Sequence, residues 1–110
     1  MLHTITSGWL RILVNQAIDD PELCFLFVAS DEDERDWIIS SIRSYIATEY
    51  PKLTTFFNIS VATIETIKYE RSYLAWRQQS FPMYDSILVS HELNDVMLKS
   101  FLSQHCKRKS

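Results

Sequence analysis

The chain has 110 residues, of which 46% are hydrophobic and 23% charged, and its formal net charge is −3 at pH 7. This length is typical of one domain with one core, and the composition is too apolar for a disordered chain. The single glycine, Gly8, excludes the glycine-rich loops that hold phosphate groups. Two cysteines, Cys24 and Cys106, are too few for a disulfide framework or a four-cysteine zinc site.

The charges are unevenly distributed along the chain. Residues 1–36 carry eight carboxylates and two basic side chains, whereas residues 37–110 carry six carboxylates and nine basic side chains. A net acidic chain lacks the positive surface of a nonspecific DNA or RNA binder, so we expect no direct sequence-specific contact with nucleic acid. The basic tail at residues 107–109 is typical of a solvated end, and a nucleic-acid or membrane contact there is the alternative.

The apolar runs are all short. The longest, at residues 23–29, is far below the roughly 20 residues that a membrane-spanning helix needs. The first four residues lack the charged and apolar regions of a signal peptide. We therefore expect no membrane partner, a cytoplasmic location and reduced cysteines.

In chain order, residues 9–18 have apolar positions that suit either a short helix or a strand, and Asp19, Asp20 and Pro21 end that element. Residues 23–29 form a continuous apolar run between turn residues. Such a run predicts a central strand that is covered on both faces.

A long helix is predicted over residues 31–50, where Pro51 ends it. Ser30 is the predicted N-cap, and the acidic residues after it complement the helix dipole. The predicted apolar face consists of Ile38, Ile42, Tyr45 and Ile46, widened by Trp37 and Ile39.

The second half of the chain also alternates between predicted strands and predicted helices. Residues 53–59 predict a second strand with Phe56, Phe57 and Ile59 as packing residues, and Ser60 then caps a short helix that carries Ile64 and Ile67. Residues 73–76 predict a third strand, residues 81–85 a loop, and residues 87–89 a short buried strand. Ser90 is the predicted cap of a last helix, whose apolar residues are Leu93, Val96, Met97, Phe101 and Leu102.

This alternation predicts an α/β fold, a small single-domain sandwich with a largely parallel sheet of three or four strands and helices packed on it. Residues 21–110 form the predicted domain. Residues 1–20 form an N-terminal segment ahead of it, which is a candidate partner-docking peptide.

No residue pattern predicts a catalytic, cofactor or metal site. The acidic run at residues 31–34 with Asp36 favours a solvated helix start over a metal or acid/base site. His105 and Cys106 lack metal-ligand spacing with the other histidines and Cys24. No serine lies in a nucleophile-elbow sequence. We therefore expect a protein that is not an enzyme and that needs no cofactor or metal.

The three tryptophans are expected to differ in environment. Trp37 lies at the edge of an apolar helix face and Trp76 at the end of an apolar run, which predicts a core and a half-buried side chain respectively. Trp9 precedes the first clear strand, so it either packs on the core or anchors a partner, as tryptophans often do at interfaces. We predict that Trp9, Leu10 and Ile12 form a docking segment ahead of the folded body.

Between Leu23 and Cys106 the order of motifs resembles the psi subunit of the bacterial DNA polymerase III clamp-loader complex. The matching features are the apolar strand at 23–29 followed by Asp31 and a long helix, the segment 58–64, the pair Trp76-Arg77, the helix start at 90–96 and the ending at 101–106. The chain departs from that family at His91, where the family has proline, and at Leu102, where it has tryptophan. Its last helix is also several residues shorter.

The resemblance implies a non-enzymatic adaptor of the DNA replication machinery. In that family the folded body binds the chi subunit, which contacts single-stranded-DNA-binding protein, and an N-terminal peptide with a tryptophan binds the clamp loader. Trp9 lies in a comparable place. For the surface that would bind the chi subunit we predict the loop residues Phe81, Met83 and Tyr84, which offer adaptable apolar groups.

Two alternatives remain open from the sequence. One is a small α/β enzyme or ligand-binding domain, whose site would lie at the carboxyl ends of the strands, where α/β proteins often bind ligands. Its candidate residues are Ser30, Asp31, Glu32, Asp33 and Ser90. The other is a phage or mobile-element protein that binds a host factor.

Overall fold

Strands and helices alternate from one end of the chain to the other. The computed structural model describes residues 2–6, 8–53 and 58–107. In these residues the elements are β1 (Leu2–Thr4), α1 (Trp9–Asp19), β2 (Cys24–Ala29), α2 (Glu32–Glu49), β3 (Asn58–Thr63), α3 (Ile64–Trp76), β4 (Ser86–Val89) and α4 (Val96–Gln104).

The four strands form one parallel sheet in the order β1-β4-β2-β3. Phe25 of β2 lies opposite Ile59 of β3 on one side and Ser86 of β4 on the other, so β2 is an interior strand. The α/β fold class and the central position of the strand at residues 23–29 are thereby confirmed. The late strand β4 is also interior, since it pairs with both β1 and β2.

Helices cover both faces of the sheet. Phe25 and Phe27 of β2 pack with α1 and α2 in one buried cluster, which we call the α1/α2 face. Leu26 and Val28 pack in a second cluster with α3 and α4, the α3/α4 face. Successive side chains of a strand point to opposite faces, so a strand buried on both sides reads as an unbroken apolar run. The result is a three-layer sandwich.

The N-terminal residues belong to this sandwich. β1 pairs with β4 at the edge of the sheet, and α1 buries Trp9, Leu13, Val14 and Ala17. Only 6% of Trp9 is exposed, and its ring lies 4.6 Å from that of Phe27, centroid to centroid. The prediction that residues 1–20 lie ahead of the folded body is therefore wrong for the described part of that segment. The apolar spacing of three and four residues is that of a helix face, and this face completes the core.

α2 begins at Glu32, one residue later than predicted. Asp31, not Ser30, is the N-cap, and its side chain accepts a hydrogen bond from Glu34 N–H at 2.9 Å. Ile38 and Ile42 are buried as predicted, and Tyr45 and Ile46 are half-buried against the same cluster. Trp37 is 57% exposed, so its predicted place in the core is wrong. Trp37 precedes the buried Ile38 by one residue, and adjacent side chains on a helix point about 100° apart, so most of the indole lies in solvent.

The segment after α2 differs most from the prediction. The strand β3 begins at Asn58, whereas Phe56 and Phe57 lie outside the described residues. Ser60 is inside β3, and Thr63 caps α3 by accepting a hydrogen bond from Thr66 N–H at 3.2 Å. The strand predicted at residues 73–76 is wrong, because these residues form the last turn of α3.

The last helix is shorter than predicted. Asp95, not Ser90, is its N-cap and accepts a hydrogen bond from Leu98 N–H at 3.0 Å. Leu93 is buried in the connection before the helix, and Leu102 is buried within it. Val96 and Met97, predicted to pack on the core, lie in the first turn and are exposed. The predicted loop at 81–85 and the buried strand after it are confirmed.

Candidate functional site

The outer surface of α3 carries three exposed aromatic side chains. Tyr69, Tyr73 and Trp76 are 72%, 45% and 78% exposed. Their spacing of four and then three residues places them on one face of the helix. We call this row the aromatic stripe. Single exposed apolar residues are common on protein surfaces, but a contiguous row of large ones is typical of a binding surface.

The rings of the aromatic stripe touch one another. Tyr69 and Tyr73 are stacked with their ring centroids 6.3 Å apart and their planes 11° apart. The centroids of Tyr73 and Trp76 are 6.2 Å apart. On the opposite side of α3, Ile67 and Leu74 pack in the α3/α4 cluster and fix the helix to the sheet. The stripe is therefore a contiguous surface on a helix that is anchored in the core.

A groove of about 440 Å³ adjoins the stripe at the carboxyl ends of β2 and β3. Tyr69 lines this groove as well as belonging to the stripe. The other lining residues are three carboxylates and three hydroxyls: Asp31, Glu32, Glu65, Ser30, Thr63 and Thr66. We call it the acidic groove.

The carboxylates of the acidic groove form no ion pair with other described residues. In the described part of the chain the ion pairs are Arg35 with Asp36 at 3.3 Å and Lys68 with Asp95 at 3.5 Å, and none involves a carboxylate of the groove. Thr63 and Thr66 satisfy each other, with their hydroxyl oxygens 2.9 Å apart. The groove therefore favours a cationic group over an anion such as phosphate.

The structure brings only some residues of the alternative site, predicted at the strand ends, together. Ser30 and Asp31 line the acidic groove together with Glu32, whereas Asp33 is exposed outside its lining. Ser90 is buried beside β2, where its hydroxyl donates to Glu34 Oε2 at 3.4 Å. Ser30 N–H donates to Glu34 Oε1 at 2.9 Å. The Glu34 carboxylate thus joins the ends of β2 and β4.

The N-terminal residues predicted to bind a partner differ in exposure. Trp9 is in the core, Leu10 is half-buried, and Ile12 is exposed. Burial of Trp9 removes the expected indole anchor from the surface. The reason is that the helix presents residues 9, 13, 14 and 17 to the sheet, whereas Ile12 lies on its outer side.

The loop residues predicted to bind a partner contribute mainly to the core. Phe81 is buried, with its ring centroid 5.1 Å from that of Phe101. Tyr84 is half-buried, and its burial, reinforced by the charge of Glu70, raises the pKa of its phenol. Met83 is exposed. This loop packs on the α3/α4 face, so the structure does not bring it together with α1 on the other face.

The sequence pattern does not reveal the aromatic stripe, because the apolar run at residues 73–76 predicts a short strand. That interpretation separates Tyr73 and Trp76 from Tyr69. The signal that identifies the stripe is the spacing 69, 73, 76 within a helix whose buried side is set by Ile67 and Leu74.

Within the described residues no group of three or more His, Cys, Asp or Glu side chains is placed to hold a metal ion. None of the described helices combines the length and the hydropathy needed to cross a membrane. Comparison of the chain with protein-family models, with curated proteins and with solved structures gives no match.

Proposed function

We propose that this protein is a non-enzymatic adaptor that binds another protein through the aromatic stripe. The observation that carries the proposal is the set of three large aromatic side chains, in mutual contact and exposed on a helix whose other side is anchored in the core. Tyrosine and tryptophan are the residues most often found at the energetic centre of protein interfaces. They bury a large area at a small cost in conformational entropy.

The packing of α3 against the core supports this role. A side chain that is already ordered loses less conformational entropy on binding, and this saving increases affinity. Contact between the stacked rings of Tyr69 and Tyr73 restricts the orientations open to each of them. A partner that covers the stripe would therefore bury aromatic surface at a reduced cost in conformational entropy.

The resemblance to the psi subunit supports the choice of partner. It favours the clamp-loader subunits and the chi subunit, and through chi a link to single-stranded-DNA-binding protein, all within the cytoplasm. Because Trp9 is buried, we assign the main docking surface to the aromatic stripe in place of the N-terminal segment. Ile12 and Met83 stay candidates for secondary contacts, since both are exposed.

The test is binding of purified chi and clamp-loader subunits to the wild-type chain and to two tryptophan variants. Trp76→Ala removes an indole from the stripe. Trp37→Ala removes a comparably exposed indole from α2, which packs on the other face of the sheet. Truncation of an interface tryptophan typically costs 2 kcal/mol or more, so Trp76→Ala should weaken binding about 30-fold. Trp37→Ala should leave the affinity unchanged.

Two results would contradict this proposal. Equal losses in the two variants, with circular dichroism unchanged, would mean that the stripe is not the docking surface. If the wild-type chain bound neither subunit, the proposed replication partners would be wrong. Crosslinking in a bacterial lysate, compared between wild type and Trp76→Ala, would then separate a different protein partner from no stripe-dependent partner at all.

The acidic groove favours a second candidate function, a small ligand-binding domain. Its position at the carboxyl ends of parallel strands is where α/β proteins often bind ligands, and its carboxylates suit an organic amine. A screen of small amines by ligand-observed NMR tests this candidate. Saturable binding that is lost in Glu65→Gln but retained in Trp76→Ala would favour it over the adaptor.

A further inference from the structure

We infer that the partner of this protein presents a basic peptide segment, with a lysine or arginine side chain in the acidic groove and apolar side chains over the aromatic stripe. This inference rests on the proposed function and specifies the chemistry of the partner.

The acidic groove and the aromatic stripe form one continuous surface. Tyr69 lines the groove and is also the first ring of the stripe, and Glu65 lies one turn earlier on the same side of α3. From Glu65 to Trp76 the helix rises about 16 Å. An extended peptide covers this distance with about five residues. A short linear segment can therefore reach both parts at once.

Charge complementarity determines which segment fits. Asp31, Glu32 and Glu65 line the groove, and none of them has an ion-pair partner among the described residues. A guanidinium or ammonium group there would approach several carboxylates and also the exposed face of Tyr69, which attracts cations. A phosphate or an acidic side chain would be repelled.

The basic side chains of α3 do not neutralise the groove. Lys68 is paired with Asp95 of α4, and the guanidinium of Arg71 lies 4.8 Å from the ring centroid of Phe101. Arg77 follows Trp76 at the far end of the stripe. This distribution of charge determines the orientation in which the segment binds along α3. The basic end of the segment lies over the groove, and its apolar or acidic end lies beside Trp76 and Arg77.

The experiment is selection of a random 12-residue peptide library on the immobilised full chain. Enriched peptides are synthesised with a fluorophore, and their affinities are measured by fluorescence anisotropy. We expect enriched sequences to combine lysine or arginine with aromatic or aliphatic residues. A charge-reversed variant, Glu32→Lys with Glu65→Lys, should bind them at least about tenfold more weakly. Glu22→Lys with Glu49→Lys makes the same change in net charge at exposed sites outside the groove and should bind like wild type.

Each outcome separates this inference from the proposed function. Neutral or acidic peptides that require Trp76 would overturn the basic segment and leave the docking surface intact. Peptides whose affinity is unchanged in Trp76→Ala would count against the docking surface itself. Failure to enrich any peptide would overturn a linear segment as the ligand. Tighter binding of a labelled oligodeoxythymidine than of the selected peptides would replace a peptide partner by single-stranded nucleic acid.

Discussion

Replacing Trp9 by alanine should destabilise the fold strongly. The indole is 6% exposed and lies against Phe27, which is fully buried in the central strand. A buried tryptophan removes about 200 Å² from water, which at about 25 cal/mol per Å² corresponds to about 5 kcal/mol as an upper estimate. Measured losses for Trp→Ala in protein cores are about 3–5 kcal/mol. We expect a loss in this range, a large part of the roughly 5–15 kcal/mol by which domains are stable.

The assay is urea unfolding followed by far-ultraviolet circular dichroism, which does not depend on the indole that is removed. A thermal melt should show a decrease in Tm of more than about 10 °C for Trp9→Ala. Trp76→Ala is the matched control, because its indole is 78% exposed. Its free energy of unfolding should stay within about 0.5 kcal/mol of wild type.

A loss below about 1 kcal/mol for Trp9→Ala, with an unchanged urea dependence, would refute the burial of this side chain. A double-mutant cycle that combines Trp9→Ala with Phe27→Leu gives a further check. Contact between the two rings predicts a coupling free energy of about 0.5–1.5 kcal/mol. Strict additivity would mean that the rings do not interact.

Three further predictions concern single contacts. Ile42→Ala should lower the free energy of unfolding by about 2–5 kcal/mol in urea titrations, because the side chain is buried under α2, and a loss below half a kcal/mol would contradict this burial. Asp31→Ala should cost about 1 kcal/mol at pH 7 in the same assay, whereas Asp31→Asn should retain the cap; equal losses would contradict the capping role. Burial raises the pKa of Tyr84, so the stability that its neutral phenol provides is present below the unfolded-state pKa of about 10 and is lost as the pH rises through the folded-state pKa. Tyr84→Phe should therefore lose less stability than wild type in urea titrations between pH 9 and pH 11, and identical profiles would contradict this.

The sequence predicted the interior of the sheet well because burial on both faces leaves a simple pattern. The unbroken apolar run at residues 23–29 can be satisfied only by a strand covered on both sides or by a buried helix segment, and its length favours the strand. The same argument applies to residues 87–89. Ile38 and Ile42 mark one side of α2 because their spacing matches the helical period.

The errors occurred where tertiary contacts determine the structure. β1 has only three residues and is a strand because it pairs with β4, more than eighty residues later. Residues 73–76 are apolar in a row, yet they continue a helix that Thr63 starts and that Ile67 and Leu74 hold on the sheet. Local propensity is a weak guide in such cases.

The candidate site was predicted less well than the fold. An aromatic residue in a sequence does not reveal whether it faces the core or solvent, because both environments accept it. Trp9 and Trp76 were assigned to the wrong environments for this reason. The sequence predicts part of the acidic groove, since Ser30, Asp31 and Glu32 follow β2. The residues that α3 contributes depend on where this helix lies against β2, which the sequence pattern does not indicate.

The order β1-β4-β2-β3 also determines when the chain can fold during its synthesis. β4 lies between β1 and β2, so Leu2 has no strand partner until Ile87 has been made. At about 5–20 residues per second, β1 stays unpaired for roughly 4–17 s, and the edge of β2 that later binds β4 stays unpaired for roughly 3–12 s. Unpaired apolar strand edges favour association with other chains. Until β4 has been made, the nascent chain therefore exposes strand edges that can associate with other chains.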